Sequence, residues 1–388
     1  MSGILYHQLV PENSAPNGYS QNQTIDFILK SDGRKMLKNS IRLDFDVEAF
    51  SNESTPARIA LSDKIGVNHK IGAHALFSEA TCETQNAGLI ESIQDYSRMV
   101  NIVATGSQQE ESYYTQTAQA EGRQVHAEGG RYILQQVAPP VLSKAGDNQA
   151  ACVASLVAKS IDPAFTIKPM VCFNRQQGDD YSFSKNGYIR LSFTVSRNQA
   201  ALQGVGVTAN AAIKIKNCQL RFTSRPDDGS QGKMLMNTAT TLKTAVNSQQ
   251  ANISARVPMP ACSGVVMTYT RQSAESSLQL DSQELQNYPQ LDRIEYLFQD
   301  SNSRYITYPL EDPGVMMTQG LKALTDSGLN QCTLNRVVAN AGVVHGLSFQ
   351  SYIDMSKNKF SVQINSSSNT FTADPINVHM LFLGLIQL

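Results

Sequence analysis

At 388 residues the chain is too long for a typical single hydrophobic core, and its length predicts two domains. A formal net charge of -1 argues against a protein that coats nucleic acid, because such proteins carry a strong excess of basic residues. Charged residues make up only 17% of the chain, against about 25% in ordinary soluble domains. Because ionic groups are costly to desolvate, a weakly charged surface favours packing against copies of the same chain. An extracellular β domain with an ordinary polar surface is the alternative.

The first 23 residues are rich in Pro, Asn, Ser and Gln and predict an extended arm. Such a segment cannot build a core, so we expect it to become ordered by lying on a neighbouring subunit or on the inner surface of an assembly. Its candidate apolar anchors are Ile4, Leu5, Tyr6 and Leu9.

One strictly alternating motif occurs twice, as IRLDFDV in residues 41–47 and as IRLSFTV in residues 189–195. A β-strand points successive side chains to opposite faces, so each copy places its apolar residues on one side. Residues 24–30 alternate in the same way, and a change of phase at Asn217 within 212–222 predicts a β-bulge. These patterns indicate a large antiparallel scaffold.

The sequence predicts only a few helices. Apolar residues between Ile93 and Val103 recur at three- and four-residue spacing and predict a short helix. Asp312-Pro313 predicts the start of a second helix, which Gly328 can close. Residues 107–130 and 272–290 predict long polar loops.

The second half also predicts strands, which share alternating or continuous apolar patterns and lie at 264–271, 292–298, 347–355, 360–364 and 378–388. We interpret 347–364 as a hairpin and 378–388 as a core strand buried on both faces. Eleven apolar residues are too few for a membrane helix, and no signal peptide is visible at the N-terminus, so we expect a soluble protein that is not secreted.

These patterns predict an all-β fold of two antiparallel jelly-roll β-sandwiches with a few short helices in loops. We expect an N-terminal arm at 1–23, a first jelly roll at 24–225, a linker at 226–250 around the sequence RPDDGSQG, and a second jelly roll at 251–388. The chain shows no alternation of strands and helices, which disfavours a Rossmann or TIM-barrel enzyme.

A search for chemistry yields no active site. The Gly178-Asp179-Asp180 turn lacks the context of a polymerase, and there is no phosphate loop, Gly-x-Ser-x-Gly elbow or His-Glu-x-x-His motif. The six cysteines (Cys82, Cys152, Cys172, Cys218, Cys262 and Cys332) are too scattered for structural zinc, and Cys172 and Cys218 are predicted to be buried free thiols, which favours a reducing compartment.

Two groups of side chains are candidate ion sites. His69 and His74 flank a loop near Glu79 and Cys82, but isolated polar residues at a strand end are the commoner explanation. Asp44, Asp46 and Glu48 form a carboxylate row on one strand face. The row could bind a cation or a basic neighbour, but a solvated or intersubunit face explains it better. We therefore predict no catalytic residue, no cofactor-binding residue and no metal ligand.

The order of several segments resembles that of double jelly-roll major capsid proteins of tailless icosahedral double-stranded DNA viruses, the lineage of polinton-like viruses, virophages and adenoviruses. The matching segments are QTIDFIL at 23–29, LKNSIRL at 37–43, AHALFS at 73–78, GLIES at 88–92 followed by Asp95-Tyr96, and FSKNG at 183–187 with the strands after it. The resemblance covers the first 225 residues; the second half matches by strand count alone.

The resemblance implies a homotrimer with a pseudo-sixfold outline that tiles an icosahedral shell without a cofactor. Its implied partners are neighbouring capsomers, penton and minor capsid proteins and an internal membrane, with no sequence-specific binding of nucleic acid. The implied location is the virion, assembled inside the host cell. A penton, spike or minor capsid protein is the first alternative, and a carbohydrate-binding β-sandwich is the second. The absence of tryptophan weighs against the latter.

Overall fold

The structure is a computed structural model. It describes residues 3–52, 54, 64–107, 115–123, 131–133, 163–205, 210–230, 232–278, 280, 282–283, 285, 291–299, 305–328, 344–367 and 374–388. Most of the predicted loop at 107–130, together with His126, Cys152 and Cys332, lies outside these residues.

Strands dominate the described residues. In chain order they are β1 (Leu5–Leu9), β2 (Thr24–Leu29), β3 (Arg34–Met36), β4 (Arg42–Phe50), β5 (Lys64–Asn68), β6 (Phe77–Thr84), β7 (Gly88–Ile93), β8 (Arg131–Ile133), β9 (Ala164–Ile167), β10 (Gln176–Gly178), β11 (Tyr181–Ser182), β12 (Ile189–Val195), β13 (Gln203–Val205), β14 (Ala212–Pro226), β15 (Met234–Val246), β16 (Gln250–Ala255), β17 (Cys262–Arg271), β18 (Arg293–Gln299), β19 (Tyr305–Leu310), β20 (His345–Ile353), β21 (Lys359–Asn365) and β22 (Ile376–Gln387). The helices are α1 (Tyr96–Ser107), α2 (Gln116–Ala120), α3 (Phe183–Asn186), α4 (Asn198–Ala201), α5 (Gln272–Glu275) and α6 (Pro313–Asp326), and 3-10 helices occur at Gly72–Leu76 and Cys172–Arg175.

The first sandwich packs two antiparallel sheets face to face. One sheet has the order β11-β3-β14-β4-β9, with β1 added to β14, and the other contains β2-β12-β6-β7. The two copies of the repeated motif lie in opposite sheets and bury alternate side chains. The rings of Phe45 and Phe193 both pack against Phe77, with centroids 5.3 and 5.8 Å apart. Both copies therefore build the same core.

The second sandwich opposes β15-β22-β17-β20 to β16-β21-β18-β19. A separate cluster of buried apolar side chains lies between these sheets, and Phe360 contacts Phe382 across it with ring centroids 5.5 Å apart. A parallel bridge between Ser92 and Thr240 joins the two sandwiches into one nine-stranded sheet. The predicted all-β class with two sandwiches is confirmed.

Several local predictions are confirmed. The register between β14 and β4 shifts beside Asn217, whose φ is 52°, as a bulge requires. Asp312 caps α6 by accepting a hydrogen bond from the Val315 N–H at 2.9 Å, and Gly328 follows the helix with φ 68°. No helix among the described residues is long and apolar enough to cross a membrane.

The predicted linker at 226–250 is wrong in its second part. β15 begins at Met234 and pairs with β22 over its whole length. Asn237, Thr238 and Thr241 are buried, so this strand has the polar composition of a linker although it lies inside the fold. The loop before β15 is irregular, and the buried Lys35 ammonium holds this loop by donating to Asp228 at 2.5 Å. That hydrogen bond is the main reason why the pKa of Lys35 is raised.

The predicted hairpin at 347–364 is also wrong. β20 pairs with β17, whereas β21 pairs with β16 and β18 in the opposite sheet. The chain crosses between sheets at a turn in which Asp354 accepts from the Ser356 N–H at 3.1 Å. β21 buries every second side chain, whereas β20 is buried in its first half and exposed in its second. Alternation in the sequence does not specify the pairing partner.

The N-terminal segment was predicted to dock on a neighbour, but it lies on the first sandwich of its own chain. β1 pairs with β14, and the Tyr19 N–H donates to the Ile215 carbonyl at 2.8 Å. The Asn13 side chain bonds to the other sheet, donating to the Thr24 carbonyl at 2.6 Å and accepting from the Asp26 N–H at 3.0 Å. The segment therefore joins both sheets of the first sandwich.

Candidate functional site

The structure does not bring His69, His74, Glu79 and Cys82 together into one site. His74 lies in the 3-10 helix Gly72–Leu76, where its Nδ1 is 2.8 Å from the Tyr96 hydroxyl and its Nε2 is 3.8 Å from Glu121. Glu79 is exposed on β6, and Cys82 is buried further along that strand. His69 lies in the turn after β5. These side chains therefore lie in different surroundings and do not form a common ion site.

A buried cluster that the sequence search missed surrounds Glu91 on β7. Its Oε2 accepts from the Cys172 N–H at 2.7 Å and lies 3.9 Å from the Cys82 sulfur. Its Oε1 accepts from the Ala239 N–H at 2.9 Å and from the Arg175 guanidinium. The two thiols and the carboxylate offer ligand atoms within 4.8 Å of one another. No local pattern marks this cluster, because its members come from distant segments.

The chemistry of this cluster favours a structural link over a metal site. Burial raises the pKa of Cys82 well above its usual range and also raises the pKa of Cys172, so both thiols hold their protons. Both oxygens of Glu91 already have donors, and structural zinc needs four ligands. Because Ala239 belongs to β15, Glu91 joins the two sandwiches at their shared sheet.

Replacing Glu91 with Ala is expected to lower the free energy of unfolding by about 3 kcal/mol, because it leaves the Arg175 guanidinium buried without its counter-charge. Urea unfolding followed by circular dichroism measures this. Replacing the exposed Glu79 on the neighbouring strand is the control, with an expected change below about 0.5 kcal/mol. Equal effects at both positions would contradict the assigned link.

A second polar link joins helix α1 to the second sandwich. The His379 Nδ1 on β22 is 2.9 Å from the Asp95 carboxylate, which directly precedes α1. Burial lowers the pKa of His379, although Asp95 opposes this. From α1 itself, Arg98 donates to Thr270 on β17 and, at 3.3 Å, to the Gln283 carbonyl. The interface between the sandwiches is therefore held by specific polar contacts as well as by apolar packing.

We expect stability to fall with acidification because His345 is buried. Burial lowers the pKa of His345 from 6.5 to about 4, and its Nδ1 lies 2.8 Å from the Tyr269 hydroxyl. Between these values the unfolded chain binds more protons, so the free energy of unfolding drops as pH falls from 6.5 to about 4, by up to about 1.4 kcal/mol per pH unit. Denaturant unfolding between pH 7 and 4 measures this slope. His345→Gln should flatten it, and an unchanged slope would contradict the assignment.

The carboxylate row on β4 is neutralised within its own sheet. Asp44 and Glu48 form ion pairs with Arg221 and Lys216 on β14, and Asp46 accepts from Asn217 at 2.6 Å. The carboxylate row therefore pairs with basic residues, which is one of the explanations that the sequence left open. These residues, Arg221 and Lys216, belong to the same chain.

Gly178 ends β10, and Asp179-Asp180 connect it to β11. Asp180 accepts from Arg225 at 2.7 Å, and Asp179 accepts from the Gly232 N–H at 2.6 Å. Asp179 therefore fastens the loop that leads into β15, and Asp180 fastens the end of β14.

Exposed apolar side chains concentrate on the N-terminal strand. Ile4, Leu5, Tyr6 and Val10 expose 47%, 47%, 82% and 70% of their surfaces. β1 pairs with β14 along one edge, and no described strand pairs with its other edge. Residues 3–10 carry no acidic or basic side chain other than His7, so this edge lacks the charges that usually prevent association between strands.

Comparison with solved structures identifies the architecture. The chain is similar to the Faustovirus major capsid protein, with 9% identity, 100% of this chain and 90% of that chain covered, and a TM-score of 0.59. It is also similar to a chain in the cryo-EM structure of the Sputnik virophage, with 8% identity, 99% and 85% coverage, and a TM-score of 0.54. The chain has a double jelly-roll fold. The match spans both rolls, including the second one, where the sequence offered only a strand count.

No protein-family model and no curated protein matches the sequence. The double jelly roll is therefore recognised through its three-dimensional arrangement. At such low identity, side-chain details such as the Glu91 link can be read only from this chain itself.

Proposed function

We propose that the chain is the major capsid subunit of an icosahedral virus, with a structural and not an enzymatic role. The observation that carries the proposal is the similarity to the Faustovirus major capsid protein over all of this chain and 90% of that one. Such coverage favours a subunit with two rolls over a penton protein with one roll and an added domain.

The proposed functional unit is a homotrimer in which three copies of two rolls give a pseudo-sixfold outline. Its proposed partners are neighbouring capsomers, penton and minor capsid proteins and an internal membrane. Its place is the shell of the virion, assembled inside the host cell. Weakly charged surfaces suit this role because shell contacts are numerous and each requires desolvation.

We place the division between the rolls in the loop between Pro226 and Met234, where β14 ends and β15 begins. We assign no catalytic residue, cofactor-binding residue or metal ligand, because the buried carboxylate and thiols have structural partners. Metal analysis of the purified protein by mass spectrometry should show less than one equivalent.

Sedimentation equilibrium of the purified full chain tests the assembly state. The expected mass is three times the subunit mass of 42.4 kDa. A pentamer would support the penton alternative and a monomer the carbohydrate-binding alternative, and either result would overturn the proposal.

A further inference from the structure

A polar pocket of about 430 Å³ lies on the second roll, between the end of α6 and the edge strand β20. The described residues that line it all carry hydrogen-bonding side chains: Ser263, Lys322, Asp326, Gln350, Ser351 and Tyr352. The volume lies within the range of about 300–1,000 Å³ that small-molecule sites occupy. None of these residues belongs to the links between the rolls.

The strand bends outward to form one wall of the pocket. Cys262 pairs with Ile353 and Gly264 pairs with Ser348, so residues 349–352 lie opposite the single residue Ser263. Within this bulge Gln350 has φ 58°, a left-handed conformation that costs a non-glycine residue roughly 1 kcal/mol or more. Such strain persists only where the surrounding structure holds it, and it is common at ligand sites.

The opposite wall contains the Asp326 carboxylate, whose position at the end of a helix is electrostatically unfavourable. Asp326 is the last residue of α6, where the helix dipole repels negative charge. Its Oδ2 accepts from the Ser348 hydroxyl, which fixes the carboxylate beside the bulge. The side chains of Lys322, Gln350 and Tyr352 have no bonding partner among the described residues and are available to a ligand.

We propose that this pocket binds a neutral saccharide of one or two rings. Among the described lining residues, one cation and one anion leave no net charge, which disfavours ions, and none of these side chains is purely apolar, which disfavours lipids. Asp326 and Gln350 are planar groups that can each bond two adjacent hydroxyls. The Tyr352 side chain is 58% exposed and offers a ring against which the C–H face of a sugar can pack.

Saturation-transfer difference NMR on the purified full chain tests this site, with maltose, lactose, cellobiose and diacetylchitobiose as probes. We expect saturation transfer to at least one of these sugars. Tyr352→Ala should raise its Kd roughly tenfold. Gln350→Gly should also weaken binding while it relieves the left-handed strain, because glycine adopts this φ freely. Thermal melts verify that both variants fold.

Tyr308→Ala is the matched control, because Tyr308 is similarly exposed, at 48%, and lies on β19 in the opposite sheet. It should leave sugar binding unchanged. Absence of saturation transfer from all four sugars, or equal loss in the Tyr308 and Tyr352 variants, would overturn the proposal. Stronger binding of a zwitterionic amino acid such as glycine would overturn the ligand class. These outcomes do not depend on whether the chain forms trimers.

Discussion

Removing residues 379–388 is expected to leave the chain unable to fold. These residues form most of β22, which lies between β15 and β17 and pairs with both. Alternate side chains enter the two cores: Leu381 and Leu383 contact the first cluster, and Met380 and Phe382 contact the second. Loss of several buried side chains at about 2–5 kcal/mol each exceeds the stability of a typical protein.

The soluble fraction after expression and the cooperativity of urea unfolding measure this effect. Removing only Leu388 is the control, because this residue lies beyond the strand and is partly buried. A soluble 1–378 fragment with cooperative unfolding would contradict the central position of β22.

Removing residues 1–20 is expected to lower the free energy of unfolding by roughly 5 kcal/mol. The deletion takes away the buried Tyr19, the pairing of β1 with β14 and the Asn13 bonds to β2. It also uncovers β14 and the β2 edge, which can then pair with other chains. We therefore expect aggregation as well as weaker assembly.

Size-exclusion chromatography with light scattering, followed by thermal unfolding, measures both consequences of the N-terminal deletion. Tyr6→Ser is the control, because the side chain is 82% exposed and its replacement should change stability by less than about 0.5 kcal/mol. A deletion variant as stable as the full chain would show that the segment serves only contacts between subunits.

Local patterns predicted those features that depend on a few neighbouring residues. Alternation placed Phe45 and Phe193 on buried faces because the side-chain period of a strand is two. The phase change at Asn217 predicted the bulge, and Asp312 followed by proline predicted the start of α6, since each needs only adjacent residues. The fold class follows from many such elements.

Features that depend on pairing between distant segments could not be predicted. Residues 347–364 alternate in a manner typical of a hairpin, yet their strands lie in opposite sheets. The strand β15 is rich in threonine and therefore has the composition of a linker. Its buried side lies at the junction between the two rolls, and it does not face an apolar core alone. The sequence does not distinguish Glu91 from the other carboxylates, because its partners Arg175 and Ala239 lie in distant segments.

The central claim is that the chain is a double jelly-roll capsid subunit whose function lies in assembly. Electron microscopy of the purified full chain, with two-dimensional averaging and no imposed symmetry, tests it most directly. The claim predicts three-fold particles with six lobes, two from each copy. Five-fold rings, or single particles of one 42.4 kDa chain, would contradict it.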